Sequence, residues 1–195
     1  MKQIVLFGAH LDDIEIGMGG TLLKLLQDSN KYNIDIHIMC KGRSEKDGNK
    51  RKKVFKKNIK NILKYTKNST INYTLHDFID LELPYNIKRL NSTISRIMNC
   101  YENVYRVYSN SNEDIHYDHK ILCDAVIVGT RPNLGNINEV LFYKIPFSTK
   151  NEELFNVVID ITKYISIKKD MLNNWKYFLL ILLLKKNIAG YKKTH

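Results

Sequence analysis

Hydrophobic and polar positions follow one another along the chain in blocks that are typical of alternating strands and helices. Residues 3–9 form an almost continuous run of apolar and β-branched residues, as in a strand that is buried on both faces of a parallel sheet. Leucines recur in residues 21–26, and apolar residues recur near helical spacing among the lysines of residues 52–65. A second strand is predicted between these helices, at residues 34–40. The order strand, helix, strand, helix indicates an α/β fold.

The same alternation continues over the following hundred or so positions. Strands are predicted at residues 70–75, 103–108, 139–143 and 157–161, and helices at residues 87–101 and 118–128. A polar loop is predicted at residues 109–114, and the Asn-rich residues 133–138 are interpreted as a loop rather than a domain boundary. The predicted architecture is a mostly parallel sheet of roughly five to seven strands that is flanked by helices.

The composition is typical of a globular protein with one domain. With 195 residues, 44% of them hydrophobic, and only 9 glycines and 3 prolines, the chain is neither collagen-like nor disordered throughout. Three widely spaced cysteines do not form the pattern of a disulfide framework, which favours a reducing compartment. The N-terminal apolar run is too short for a signal peptide, and the run at residues 178–184 is too short to cross a bilayer. A cytoplasmic location without a membrane span is therefore expected.

The net charge of +11 lies largely in residues 41–57 and 185–193. Such a charge suits nucleic acid, anionic lipid or an acidic substrate as a partner. Neither an interleaving of aromatic with basic residues nor a known nucleic-acid-binding motif accompanies it. The basic residues are therefore interpreted as a solvated surface, and no nucleic-acid partner is expected.

Two polar segments rich in histidine and aspartate follow predicted buried strands. The first, residues 9–17, has the sequence AHLDDIEIG and follows the first strand directly. The second, residues 114–119, has the sequence DIHYDH and follows the strand that ends at residue 108. In open parallel sheets the ligand crevice lies beyond the carboxyl ends of the strands. We therefore expect the two segments to lie close together.

Two histidines and one aspartate from these segments fit a catalytic zinc site, in which three protein ligands leave a fourth position for water. His10 and Asp13, three residues apart on a turn, can converge on one ion, and His119 can reach it from the second segment. Asp12 is adjacent but not needed as a ligand, so it is placed to act as a general base. The same donor set suits non-haem Fe²⁺, so the sequence leaves Zn²⁺ and Fe²⁺ both open.

The two segments resemble the signatures of a known family. Residues 9–17, followed by Gly-Gly-Thr-Leu at residues 19–22, resemble the Ala-His-Pro-Asp-Asp-X-Glu signature of the PIG-L/LmbE-like zinc-dependent N-deacetylases, with Leu11 in place of the proline. Residues 116–119 resemble the second signature, His-X-Asp-His. The resemblance implies a Rossmann-like deacetylase domain over residues 1–175. Residues 176–195, apolar and then basic, do not match the family.

The resemblance implies the same metal ligands and the same general base as the donor chemistry, and it adds further residues. His116 would stabilise a tetrahedral oxyanion or donate a proton, and Asp118 would orient or tune His116. Arg51 and Asp80 resemble residues that bind the substrate. The implied enzyme is a metal-dependent N-deacetylase that hydrolyses the N-acetyl amide of a small amino sugar or sugar conjugate of the N-acetylglucosamine type and releases acetate. Whether it forms a homo-oligomer is left open.

Two other functions are weighed against this one. Gly17, Gly19 and Gly20 could cradle a phosphate in a nucleotide-binding Rossmann-type module. Their spacing departs from Gly-X-Gly-X-X-Gly, however, and the acidic residues before them would repel a phosphate. The third function is that of a relative with an altered C-terminal segment that binds a sugar without catalysis. The zinc content of the purified protein separates the hydrolase from the nucleotide-binding module.

Overall fold

The computed structural model describes residues 1–131, 136–150 and 156–176, and within these residues five strands form one parallel sheet. The strands are β1 (Lys2–Gly8), β2 (Tyr32–Cys40), β3 (Thr70–Phe78), β4 (Asn103–Asn110) and β5 (Asn136–Tyr143), in the spatial order β3-β2-β1-β4-β5. The helices are α1 (Gly19–Gln27), α2 (Glu45–Leu63), α3 (Ile87–Met98), α4 (Tyr117–Gly129) and α5 (Ile165–Asn174). A π-helix (Ile14–Met18) precedes α1, and 3₁₀ turns (Leu83–Asn86 and Thr162–Tyr164) precede α3 and α5. The predicted fold, a parallel sheet flanked by helices, is confirmed.

The central strand β1 is buried on both faces of the sheet. Ile4 and Leu6 belong to the core that also contains side chains of α1, α2 and α5. Val5 and Phe7 belong to the core on the other face, with side chains of α3 and α4. This two-sided burial is the reason why the strand has an almost continuous apolar sequence. The residues that follow β1 are therefore attached to a strand that is packed on both faces.

Some predicted boundaries differ from the structure. Helix α2 begins at Glu45 rather than at residue 52, because the Ser44 hydroxyl accepts a hydrogen bond from the Asp47 N–H (3.2 Å) and caps the helix earlier. The strand predicted at residues 157–161 is wrong. Val157 and Val158 are 58% and 83% exposed and lie in a segment without regular structure, so their β-branched side chains do not mark a buried strand.

The C-terminal predictions can be checked only in part. Residues 136–138 of the predicted loop belong to β5, whereas residues 133–135 and the apolar run at residues 178–184 lie outside the described residues. In the described ranges no helix is both long enough and apolar enough to cross a bilayer.

The glycines that follow β1 permit close packing of protein side chains. A Cβ atom at Gly17 would lie 2.4 Å from the ring of Tyr143, and one at Gly20 would lie 2.5 Å from Ile161. The space beside these two glycines is thus filled by side chains of β5 and of the segment before α5. The two glycines are therefore explained by this packing, without the phosphate cradle considered from the sequence.

Gly17→Ala is expected to lower the free energy of unfolding by about 1–3 kcal/mol, the usual cost of an extra methyl group in a well-packed site. The Tyr143 ring cannot easily give way, because its hydroxyl donates a hydrogen bond to the Phe7 carbonyl (2.9 Å). Urea denaturation measures the change. Gly19→Ala is the matched control, since its Cβ would lie nearest to the flexible end of Met171, at 3.3 Å, and alanine favours the helix. Equal losses in the two variants would contradict the packing argument.

Candidate active site

The two histidine-rich segments meet at the carboxyl ends of β1 and β4. These strands are neighbours, with Leu6 paired to Tyr108. The chain continues from β1 to β2 on one side of the sheet and from β4 to β5 on the other. Such a reversal of strand order opens the crevice in which parallel sheets bind ligands. The structure brings the two segments together there, with His10 Nδ1 lying 3.0 Å from His119 Nε2.

The three predicted metal ligands present atoms that lie close to one another. His10 Nδ1 lies 3.7 Å from Asp13 Oδ2, and His119 Nε2 lies 3.3 Å from Asp13 Oδ1. Atoms bound at about 2.0–2.1 Å around a tetrahedral Zn²⁺ are separated from one another by about 3.3 Å. The donor types and their separations therefore fit a small divalent cation.

A carboxylate contacts the far ring nitrogen of each of these imidazoles. Asp118 Oδ2 lies 3.0 Å from His10 Nε2, and Asp114 Oδ2 lies 2.8 Å from His119 Nδ1. Each carboxylate favours a proton on the nitrogen that it contacts and leaves a lone pair on the other nitrogen of the same ring. The lone pairs of both rings are then directed to the same point as the Asp13 carboxylate. This is the tautomer that a metal-binding histidine requires.

The carboxylate of Asp118 is placed differently from the expectation, which paired it with His116. It contacts His10, and it accepts hydrogen bonds from the backbone N–H groups of Leu81 (2.6 Å) and Leu83 (3.3 Å). Its contact with His116 is through the backbone, because the Asp118 N–H donates to His116 Nδ1 (3.2 Å). His116 caps the N-terminus of α4 through this hydrogen bond. The Asp118 carboxylate is thus placed to orient His10, whereas its expected role in orienting or tuning His116 stays a prediction.

His116 is arranged as a hydrogen-bond donor. Because its Nδ1 accepts the Asp118 N–H, the proton of the neutral ring lies on Nε2. The ring centroid lies 4.7 Å from those of both His10 and His119. Burial lowers the pKa of His116, and the neighbouring His10 and His119 lower it further. A neutral imidazole with an Nε2–H group can stabilise a developing oxyanion.

The buried carboxylates favour a positive charge at the position where His10, Asp13 and His119 meet. Burial alone would lower the pKa of His10, but Asp118 and Asp13 raise it to about 9. Burial alone would also lower the pKa of His119, but Asp13 and Asp114 raise it to about 10. Although burial opposes ionisation of Asp13, His119 and His10 hold its pKa well below the usual range. The carboxylates around these two imidazoles therefore favour positive charge at this position, and a bound divalent cation would supply such a charge.

Arg51, on α2, joins the two remaining carboxylates of the site. Its Nη2 lies 2.7 Å from Asp12 Oδ1, and its Nη1 lies 2.9 Å from Asp80 Oδ2. Asp80 also accepts a hydrogen bond from the N–H of Gly42 (3.0 Å), whose φ of +118° favours glycine. Both residues that resemble substrate-binding positions thus form a network with the predicted general base. The network holds Asp12 at the edge of the ligand cluster.

These side chains line an open cavity of about 500 Å³, a size that is typical of small-molecule sites. The histidine cluster, Asp12 and Asp13 line one part of it, and charged side chains of α2 and the preceding loop line another. The apolar part of the lining consists of Ile16, Val54, Ile145 and Trp175. The cavity therefore offers polar, charged and apolar surfaces to one ligand.

Sequence reasoning assigned no role to three residues that shape the site. Asn110 Nδ2 donates to Asp13 Oδ2 (3.1 Å), which also accepts the His10 N–H (2.9 Å), so Asn110 fixes the carboxylate. Asn110 could have been predicted as a site residue, because it is the last residue of a buried strand. Asp114 could also have been predicted, because it lies inside the second histidine-rich segment. Trp175 could not, because only the tertiary structure brings it to the cavity.

Residues 5–128 match the PIG-L family, which is described as GlcNAc-PI de-N-acetylase. The chain belongs to the PIG-L family. The resemblance of the two histidine-rich segments is thereby confirmed, since both lie within the matched residues. A curated relative, the uncharacterized deacetylase YaiS of Escherichia coli strain K12, is 30% identical over 171 residues, which cover 80% of this chain and 86% of YaiS.

Solved structures share the fold of this PIG-L family chain. The deacetylase–teicoplanin complex of the teicoplanin biosynthesis pathway has a TM-score of 0.74 at 13% identity, covering 100% of this chain and 94% of that chain. The N,N′-diacetylchitobiose deacetylase from Pyrococcus horikoshii, complexed with its inhibitor MPG, has a TM-score of 0.62 at 19% identity, covering 89% and 69%. The PIG-L chain therefore has the α/β fold of these deacetylases.

Proposed function

We propose that this PIG-L family chain is a metal-dependent N-deacetylase that removes the acetyl group from an amino sugar or sugar conjugate of the N-acetylglucosamine type. The observation that carries the proposal is the convergence of atoms of His10, Asp13 and His119, separated by 3.0–3.7 Å, beside Asp12. Family membership and the fold shared with deacetylases support it. The cavity of about 500 Å³ has room for a sugar ring.

The residues of the site fit a divalent metal ion, which His10, Asp13 and His119 would hold. When bound, the ion would polarise the acetyl carbonyl and lower the pKa of a coordinated water from 15.7 toward about 7. Two imidazoles and a carboxylate suit Zn²⁺ and also Fe²⁺. We propose Zn²⁺ as the metal, with Fe²⁺ as the alternative to be compared in the assay.

A set of three imidazoles is the competing choice of ligands. His10, His116 and His119 each place one ring nitrogen within 4.8 Å of the others. Nδ1 of His116, however, already accepts a backbone hydrogen bond, and the Asp13 oxygens lie as close as 3.3 Å to His119. Asp13 is therefore the preferred third ligand, and His116 is left for the substrate.

The other side chains supply the proton transfers that amide hydrolysis needs. Asp12 accepts a proton from the water that attacks the acetyl carbon, while Arg51 holds the carboxylate in place (2.7 Å). The Nε2–H of His116 donates a hydrogen bond to the oxyanion that forms on the carbonyl oxygen. When the C–N bond breaks, the proton on Asp12 passes to the departing nitrogen. Acetate and a free amine are the products.

The test is acetate release from N-acetylglucosamine, N,N′-diacetylchitobiose and glycoside derivatives of both. The protein is stripped with a chelator and reloaded with Zn²⁺ or with Fe²⁺. We expect acetate and free amine in equal amounts from at least one sugar, and only after a metal has been restored. Absence of acetate from every sugar with either metal would refute the proposed function.

Asp114→Asn is expected to weaken metal binding by about 10–100-fold, the usual effect of removing the partner of a metal-binding histidine. The Asp114 carboxylate contacts His119 Nδ1, and it accepts hydrogen bonds from the His116 N–H (2.8 Å) and the Ser148 hydroxyl. An amide retains the size of the side chain but no longer favours the correct tautomer of His119. Competition with a chelator of known affinity measures the change, and Asp77→Asn, an exposed carboxylate paired with Arg89, is the control. Unchanged affinity in Asp114→Asn would contradict this role.

A further inference from the structure

Trp175 is the only tryptophan of the chain, and it lines the cavity that contains the histidine cluster. It follows the last residue of α5, is partly buried, and packs against the core on the α1 face of the sheet. Among the described residues that line this cavity, Trp175 alone carries a Phe, Tyr or Trp side chain. The described lining of the cavity thus includes one large apolar aromatic side chain beside imidazole, charged, amide and aliphatic groups.

Glu15 fixes the position of this indole. The Trp175 Nε1–H donates to Glu15 Oε1 (3.4 Å), and Asn58 Nδ2 donates to the same oxygen (3.2 Å). Glu15 is 1% exposed and lies in the π-helix, two residues after Asp13. The indole is therefore fixed relative to the residues that form the ligand cluster.

Further hydrogen bonds hold α5 to the elements that surround the cavity. Lys168 Nζ donates to the Ile16 carbonyl (2.8 Å), which joins α5 to the π-helix. Asn58 Nδ2 donates to the Met171 carbonyl (3.3 Å), and Asn174 Nδ2 donates to Asn58 Oδ1 (2.7 Å), which joins α5 to α2. A side chain that is already ordered loses little conformational entropy when a ligand binds to it. Trp175 is thus preorganised as a binding surface.

We propose that Trp175 is a stacking platform for the sugar ring of the substrate and that Glu15 positions it, an inference that rests on the proposed function. One face of a pyranose ring presents mainly C–H groups, whereas its edge carries hydroxyl groups. The indole face is broad, apolar and electron-rich, so it attracts the weakly positive C–H groups of such a ring. The charged side chains that α2 and the preceding loop contribute to the cavity can then form hydrogen bonds with the hydroxyl groups. The platform selects amino sugars over amides without a ring.

Steady-state kinetics with two substrates test the platform. N,N′-diacetylchitobiose carries the sugar ring, and N-acetylethanolamine carries the same acetamide without one. In Trp175→Leu we expect the KM for the sugar to rise by about 10-fold or more, as for other buried aromatic contacts, with kcat within about 2-fold. The KM for N-acetylethanolamine should stay unchanged. Trp175→Phe, which retains an aromatic face, should recover most of the loss.

Fluorescence gives a second measurement, because all tryptophan emission of this chain arises from Trp175. In zinc-loaded Asp12→Asn protein, N,N′-diacetylchitobiose should produce a saturable change in emission, and N-acetylethanolamine should produce none. This measurement keeps the tryptophan, so it holds even if Trp175→Leu fails to fold.

Two results would overturn the platform. One is the same ratio of KM values for the two substrates in Trp175→Leu and in wild type. The other is an emission spectrum that saturating sugar leaves unchanged while the wild type releases acetate from that sugar. Lack of acetate release from any sugar by the wild type would instead refute the proposed function, and a saturable emission change would still establish sugar binding at Trp175.

Discussion

Asp12→Asn is expected to keep its metal and to lose about 100–10,000-fold in kcat, the usual contribution of a general base. Asparagine has the size of aspartate, and its amide oxygen can still accept the hydrogen bond that Arg51 donates to Asp12 Oδ1 (2.7 Å). It cannot take a proton from water. The variant therefore separates proton transfer from metal binding and from the architecture of the Arg51 network.

Metal content per chain and kcat are measured on the same preparation. Asp77→Asn is the control, because this carboxylate is exposed and paired with Arg89 on the surface. It should change neither quantity. Loss of metal from Asp12→Asn would show that Asp12 is a ligand rather than a base, and a nearly normal kcat would exclude it as the base.

His119→Ala is expected to reduce the bound metal to near zero and acetate release to background, because one of the three proposed ligand atoms is lost. The substitution also leaves the buried Asp114 carboxylate without the imidazole that lies 2.8 Å away. We expect a loss of about 1–3 kcal/mol in the free energy of unfolding from this uncompensated group. Zn²⁺ should raise the melting temperature of the wild type and have no effect on the variant.

His76→Ala is the matched control for this variant. His76, on β3, is half-buried and lies with its Nε2 3.3 Å from His37 Nδ1. Its loss should leave metal content and the response to Zn²⁺ as in the wild type. Full metal occupancy in His119→Ala would remove His119 from the ligand set and favour a site in which other side chains hold the ion.

The parts of the site that could be predicted are those that the strands position. The continuous apolar run of β1 reveals a strand buried on both faces, and the polar residues directly after it must emerge at the carboxyl end of the sheet. By the same argument, the segment that follows β4 must emerge at the same edge of the sheet. The strand predicted at residues 157–161 failed because β-branched residues such as Val158 favour strands only where a neighbouring strand or core covers them.

Other parts depend on contacts that local sequence does not encode. The Asp118 carboxylate contacts His10, which lies 108 positions earlier in the chain, and the residues around Asp118 do not indicate that contact. Trp175 and Glu15 are 160 positions apart, and no pattern near either residue indicates the other. Such pairings follow from the packing of α5 on the π-helix and α2.

The two imidazoles that face each other across β1 and β4 are 109 positions apart along the chain. An ion held by both would bridge a loop of that length in the folded protein, and because the site does not exist in the unfolded chain, the free energy of binding would add to the stability of the fold. The ion would then tie the first three strands to the last two. The proposed activity and the free energy of unfolding would then both depend on the bound ion.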